Sequence, residues 1–169
     1  NTVGFGHMAI PTAFYMGGGD GLALSEAQLR VQVAVITDGR FNSNTNRCVV
    51  RLKRARKVER MRALLTAAGI EFSERLQDTP TAQGFHVFTF PAPLRCKSFD
   101  ARFWSCTAAQ RAIVLNEVVH WDGCARAGER GFDFSSTSKE SADFVQYAAV
   151  AAGHTARIKY DRRDKYSGG

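Results

Sequence analysis

The chain has 169 residues, 44% of them hydrophobic and 23% charged, which is enough apolar content for one core and too much for a disordered linker. Its apolar runs, such as 33–36 and 148–152, fall well short of the roughly 18 residues a spanning helix needs, so no membrane association is expected. Lys and Arg number 23 against 16 Asp and Glu, and the resulting +7 suits a polyanionic partner or simply a basic surface; the distribution of the charge must decide.

Residues 1–20 show no basic start followed by an apolar stretch and a small-residue cleavage site, and the first methionine is Met8. The chain is therefore read as starting inside a longer product or as having been trimmed. Cys48, Cys96, Cys106 and Cys124 form no C-x-x-C pair and complete no zinc pattern with the four histidines. They are expected as reduced thiols in a cytoplasmic protein.

In chain order, residues 4–10 read as a strand closed by Pro11, and the glycine run 17–21 as a loose connector. Residues 25–38 are expected as a helix, with Ser25 as N-cap and Gly39 as the left-handed residue past its end. A strand over 46–54 follows. Its alternation puts Cys48, Val50 and Leu52 on one face and Arg47, Val49, Arg51 and Lys53 on the other. A helix over 57–68 carries Val58, Met61, Leu64 and Leu65 at helical spacing and stops at Gly69. Strands over 70–75 and 85–90 come next. The order then restarts: a helix over 107–122 between Thr107 and Gly123, a strand over 131–136, a helix over 139–152 with Ala142, Val145, Tyr147 and Ala149 on one face, and a strand over 154–161 after Gly153.

The restart keeps register. Asp38-Gly39 and Asp122-Gly123 lie 84 positions apart, as do Ala67-Ala68-Gly69 and Ala151-Ala152-Gly153, which points to duplication. The chain is thus read as α+β, with two pseudo-symmetric α-β-β-α-β-β repeats over 25–106 and 107–169, preceded by an N-terminal strand and connector over 1–24. The second repeat runs out before its last strand, and residues 4–10 are expected to fill the vacant edge beside it.

A duplicated unit whose first helix ends in Asp-Gly, in a basic chain, resembles the LAGLIDADG homing endonucleases, particularly those inside inteins. The nonapeptides are Val-Gln-Val-Ala-Val-Ile-Thr-Asp-Gly at 31–39 and Leu-Asn-Glu-Val-Val-His-Trp-Asp-Gly at 115–123, and the likeness spans about 25–165. The resemblance implies a monomer with an internal pseudo-two-fold axis, its two Asp-Gly helices side by side and a curved antiparallel sheet of each half laid along double-stranded DNA. It implies Asp38 and Asp122 as ligands of Mg²⁺, or of another divalent cation such as Mn²⁺ or Ca²⁺, converging near both scissile phosphates. Hard divalent cations take carboxylate oxygens and activate water for phosphodiester hydrolysis.

The same matching places Lys53 in the cleavage pocket and Lys57 where a base neutralises phosphate, with Thr137 and Ser141 at those offsets in the second copy. Unequal half-sites would follow. For Lys53 a solvated lysine is the competing reading, and the helix cations Lys57, Arg60 and Arg62 fit a solvated face. Arg47, Arg51, Lys53 and Arg75 in the first half, and Arg157, Lys159 and Arg163 in the second, are the expected DNA contacts, with Ser73, His86 and Thr89 as weaker ones.

The nonapeptides depart from the family pattern, because Val33 and Glu117 stand where Gly is usual and Gln32 and Asn116 where Ala is usual. A buried, unpaired Glu117 would cost several kcal/mol by rough estimate, so it is expected to be solvated, salt-bridged or turned towards a metal or an Arg. His120 is read as a proton carrier, a phosphate contact or a packed core histidine. The leading expectation is a metal-dependent, site-specific DNA endonuclease. The alternatives are a degenerate LAGLIDADG protein that only binds nucleic acid, as regulator or RNA-splicing helper, and an endonuclease fragment of an intein.

Overall fold

The computed structural model describes residues 19–42, 47–79, 82–121, 123–125 and 131–159. The strand expected at 4–10, Asp122 and Arg163 lie outside these residues. Helix α1, Glu26–Asp38, begins at Ser25, whose hydroxyl accepts the Gln28 backbone N–H while the Gln28 side chain accepts the Ser25 N–H. This reciprocal cap satisfies two amides that the first turn would leave unpaired. Helix α3, Ala108–Val118, opens in the same way with Thr107 and Gln110. Gln110 also exchanges hydrogen bonds with both backbone groups of Leu22, at 2.8 and 2.9 Å, and the Gly21 N–H donates to the Ser105 carbonyl at 2.8 Å. The end of the glycine run is therefore docked on the start of α3 and is not the loose connector expected.

The first half then runs β1 (Gly39–Phe41), β2 (Arg47–Leu52), α2 (Ala55–Ala67), β3 (Ser73–Thr79) and β4 (Ala82–Pro91). This is the expected α-β-β-α-β-β order. The strands form one antiparallel sheet in the order β1-β2-β4-β3. Burial along β2 alternates as the sequence predicts: Cys48, Val50 and Leu52 are buried, and Arg47 and Arg51 exposed. On α2 the buried set is Val58, Met61, Leu64 and Leu65, each contributing about 1.5–3 kcal/mol on burial. These side chains meet Phe88, Phe90 and the inner face of β2 in a core threaded by α1, whose residues Val31 to Ile36 are all buried.

The second half contains a 3₁₀ turn, Ala101–Ser105, then α3, β5 (Gly123–Ala125), β6 (Phe132–Phe134) and α4 (Lys139–Ala151), with β5 and β6 paired antiparallel. Four expectations need correction here. Helix α3 ends at Val118, one turn before the expected Asp122, because residues 119–121 turn out of the helix. On α4 the buried residues are Ser141, Phe144, Val145, Ala148 and Ala151, so the apolar face is rotated from the one expected. Residues 154–159 form no strand, and the α-β-β-α-β-β order is not completed in the second half among the described residues. Beyond α2 the first of the two strands starts at Ser73 instead of 70.

Glycines 39 and 123 are not left-handed. Gly39 is extended, at φ −83° and ψ 163°, and a Cβ there would stand 2.6 Å from the Val35 carbonyl oxygen and 2.8 Å from Cys48 Sγ. A Cβ on Gly123 would stand 2.5 Å from Val119 Cα. Both positions need glycine because the chain doubles back against the turn four residues earlier, and the two arrangements are 84 positions apart.

Gly69 and Gly153 do take positive φ, 64° and 85°. The Ile70 and His154 N–H groups donate to the Leu65 and Ala149 carbonyls, and the Gly69 and Gly153 N–H groups to Thr66 and Val150. Helices α2 and α4 thus end in the same left-handed cap, bond for bond at the 84-residue offset.

Candidate nucleic-acid interface

The sheet has two faces of opposite character. Its register sets Arg40 beside Val49, Val49 beside Thr89, Thr89 beside Ser73, Arg51 and Arg75 on either side of Val87, and Phe85 beside Gln77. These residues share the face turned away from the core. Arg40, Arg47, Arg51, Arg75 and, just past β2, Lys53 are all exposed. Val87 is 3% exposed yet stands outside the main core cluster, flanked across the strands by Arg51 and Arg75. Arg47 donates to the Thr89 carbonyl at 3.4 Å, and Arg51 and Lys53 lean over the Phe85 ring. Among the described residues none of these five cations makes an ion pair.

Three of the four cations of α2 are paired with acids, and the fourth, Arg56, is exposed and donates to the His120 carbonyl at 2.9 Å. Lys57 Nζ lies 2.6 Å from Asp38 Oδ2, Arg62 grips Glu74, and Arg60 grips Glu117 through Nε at 2.7 Å and a second nitrogen at 2.6 Å. The solvated helix face expected for Lys57, Arg60 and Arg62 is thus a set of ties between elements. Arg62 and His86 share Glu74, with His86 Nδ1 2.6 Å from its Oε1. Arg62 foremost, then His86, hold the Glu74 carboxyl below the usual range. His86 is thus tied to Glu74 on the inner face of the sheet.

Glu117 has no exposed surface, and it is salt-bridged. Besides Arg60 it accepts from Arg30 at 3.0 Å and from Trp121 Nε1 at 2.8 Å, so α1, α2 and α3 meet on one carboxylate. Burial pushes its pKa up, and the hydrogen bonds from Arg60, Trp121 and Arg30 outweigh that and hold it below the usual glutamate range. Gln32 is equally buried and is satisfied by the Leu94 N–H and the Cys96 carbonyl, whereas Asn116 is exposed. His120 is half-buried, and burial foremost, with Arg60 adding to it, pushes its pKa down, which leaves a neutral ring at neutral pH.

Helices α1 and α3 pack side by side, as expected of the two nonapeptide helices. At the C-terminal end of α1, Lys97 Nζ donates to the Val35 and Ile36 carbonyls at 2.8 and 2.6 Å, and Lys57 Nζ covers Asp38 while standing 5.7 Å from the Trp121 ring centre. The oxygen donors that a divalent cation would use at this helix end are engaged by two ammonium groups, whose charge would repel a second cation. Asp122, the other expected ligand, lies outside the described residues, among which no cluster of three or more His, Cys, Asp or Glu could hold an ion. Of the second-half candidates, Arg157 and Lys159 are exposed on the irregular segment 154–159, Thr137 is exposed, and the buried Ser141 hydroxyl accepts the Phe99 N–H. Burial foremost pushes the thiols of Cys48, Cys96 and Cys106 up to about 11, which keeps them protonated.

The sequence matches no family model and no curated protein. Solved structures do match: the N-terminal LAGLIDADG domain of DUF199/WhiA aligns with a TM-score of 0.52 at 9% identity, covering 74% of this chain and 65% of that one. Full-length DUF199/WhiA from Thermatoga maritima aligns with the same score and identity, over 77% of this chain and 45% of that one. The chain shares the LAGLIDADG-domain fold. It spans less than two thirds of the length of either structure. An identity of 9% carries the LAGLIDADG fold and no activity. Among the described residues no helix is long and apolar enough to cross a membrane.

Proposed function

We propose that this chain is a nucleic-acid-binding protein of LAGLIDADG fold, which holds double-stranded DNA on the outer face of its four-stranded sheet without cutting it. The observation that carries the reading is the sorting of the cations. Lys57, Arg60 and Arg62 of α2 are spent on Asp38, Glu117 and Glu74, while Arg40, Arg47, Arg51, Lys53 and Arg75, gathered on the outer sheet face, have no acidic partner among the described residues. Unpaired cations on one face are the electrostatic footprint of phosphate binding, and the intervening Ser73, Gln77 and Thr89 supply short polar groups for base edges. The lysines at the end of α1 support binding over hydrolysis. The matching caps 84 positions apart support two copies of one unit, over 25–106 and 107–169.

Fluorescence anisotropy with a labelled duplex tests the reading. Arg47→Gln with Arg51→Gln should weaken binding and reduce the slope of log affinity against log salt by about one for each phosphate left without its arginine. Arg102→Gln, which removes a cation paired with Asp100, should leave binding unchanged. Failure to bind any duplex at low salt would refute the proposal. Incubation of plasmid with protein and Mg²⁺ addresses the endonuclease directly. No strand breaks are expected, and Asp38→Asn should bind as before, whereas breaks abolished by Asp38→Asn would establish the endonuclease instead.

A further inference from the structure

The outer face of the sheet carries one aromatic ring among the described residues, Phe85, and its surroundings are unusual for a packed phenylalanine. The ring is half-buried, Arg51 Cζ stands 5.0 Å from its centre and Lys53 Nζ 5.8 Å, and both cations are exposed. The strand is distorted just before it. Between the pairs Gln77–Phe85 and Thr79–Ala82, two residues of β4, Gln83 and Gly84, stand opposite the single residue Asp78 of β3. Gly84 has φ 70°, and a Cβ on it would meet only Lys53 Cε, at 4.0 Å. A glycine bulge of this kind bends the strand, re-aims the next side chain and leaves room for something to approach the backbone.

We propose that Phe85 stacks an extrahelical nucleobase, so that the sheet prefers a duplex carrying an unpaired base to a fully paired one. The proposal rests on the nucleic-acid reading above. In the free protein the two cations lie against the π-face of the ring, where they gain a modest attraction but have no counter-ion. A nucleotide offers a better arrangement for all three side chains. Its phosphate takes Arg51 and Lys53, and its base takes the ring face they release. Every base has a π-face, so the contact selects for a displaced base and not for sequence, and the cost of displacement is least where a base is already unpaired.

The experiment titrates the protein against two labelled duplexes of the same sequence, one fully paired and one with a single bulged base. The wild-type chain should bind the bulged duplex about tenfold more tightly. Phe85→Ala should erase that preference by weakening the bulged duplex far more than the paired one, and Phe85→Trp, which keeps a ring, should retain it. Arg47→Gln, remote from the ring, should weaken both duplexes alike. Equal affinity of the wild-type chain for the two duplexes would overturn the inference while leaving the DNA reading intact, as would a Phe85→Ala variant that keeps the preference or weakens both equally. Binding to neither duplex would overturn both.

Discussion

Glu117 stays ionised in the interior because two guanidinium groups and an indole N–H occupy its oxygens. Removing one member of such a cluster is costly, since the charges left behind lose their counter-ion. Glu117→Gln should destabilise the fold by about 3 kcal/mol in urea denaturation, at the lower end for a buried pair because Arg30 and Arg60 keep about a quarter of their surface in water. The sign of the pH dependence follows from the lowered pKa. The contribution of Glu117 is complete above the ordinary glutamate range and is lost as pH falls through the lower folded value. Acid titration of stability should therefore be shallower in Glu117→Gln than in the wild-type chain. The penalty for burying this residue alone was legible in the sequence, and its partners were not: Arg30 and Arg60 lie 87 and 57 positions away, beyond any local pattern.

Among the elements, those whose signals are local were readable. The buried stripe of α2 and the N-caps Ser25 and Thr107 depend on spacing within one helix. The buried face of α4 depends on its neighbours: Phe144 packs 5.3 Å from Phe99 and 5.7 Å from Phe103, ring centre to ring centre, and Ser141 turns inward to cap the Phe99 N–H. Neither Phe99 nor the 3₁₀ turn holding Phe103 announces itself by periodicity. Phe144→Ala should cost about 3–5 kcal/mol by thermal or chemical denaturation. The glycines separate in the same way. Gly69→Asn should be nearly neutral, because Asn tolerates a left-handed φ and open space surrounds the site. Gly39→Ala, at an ordinary φ, should cost about 1–3 kcal/mol, because its methyl meets backbone that cannot withdraw.

Over the whole molecule the net charge of +7 could be counted in the sequence but not sorted, since each ion pair of α2 reaches a different element. The sorting makes one further expectation. If Lys57 and Lys97 already neutralise the end of α1, millimolar Mg²⁺ should leave the melting temperature unchanged, because a ligand raises stability only where the folded state binds it. The three-helix ion cluster also has a bearing on ancestry. Counting 84 onward from Arg30 and Arg60 reaches Val114 and Phe144, and counting 84 back from Glu117 reaches Val33, all three of them buried apolar residues. On the proposed duplication, two copies of residues 25–106 would bring Arg30 and Arg60 to the seam without the buried acid they share, and two copies of 107–169 would bring Glu117 without those two arginines. If the two halves descend from one unit as proposed, each supplies at this cluster what the other lacks, and a symmetric homodimer of either half would need several interior positions to change together.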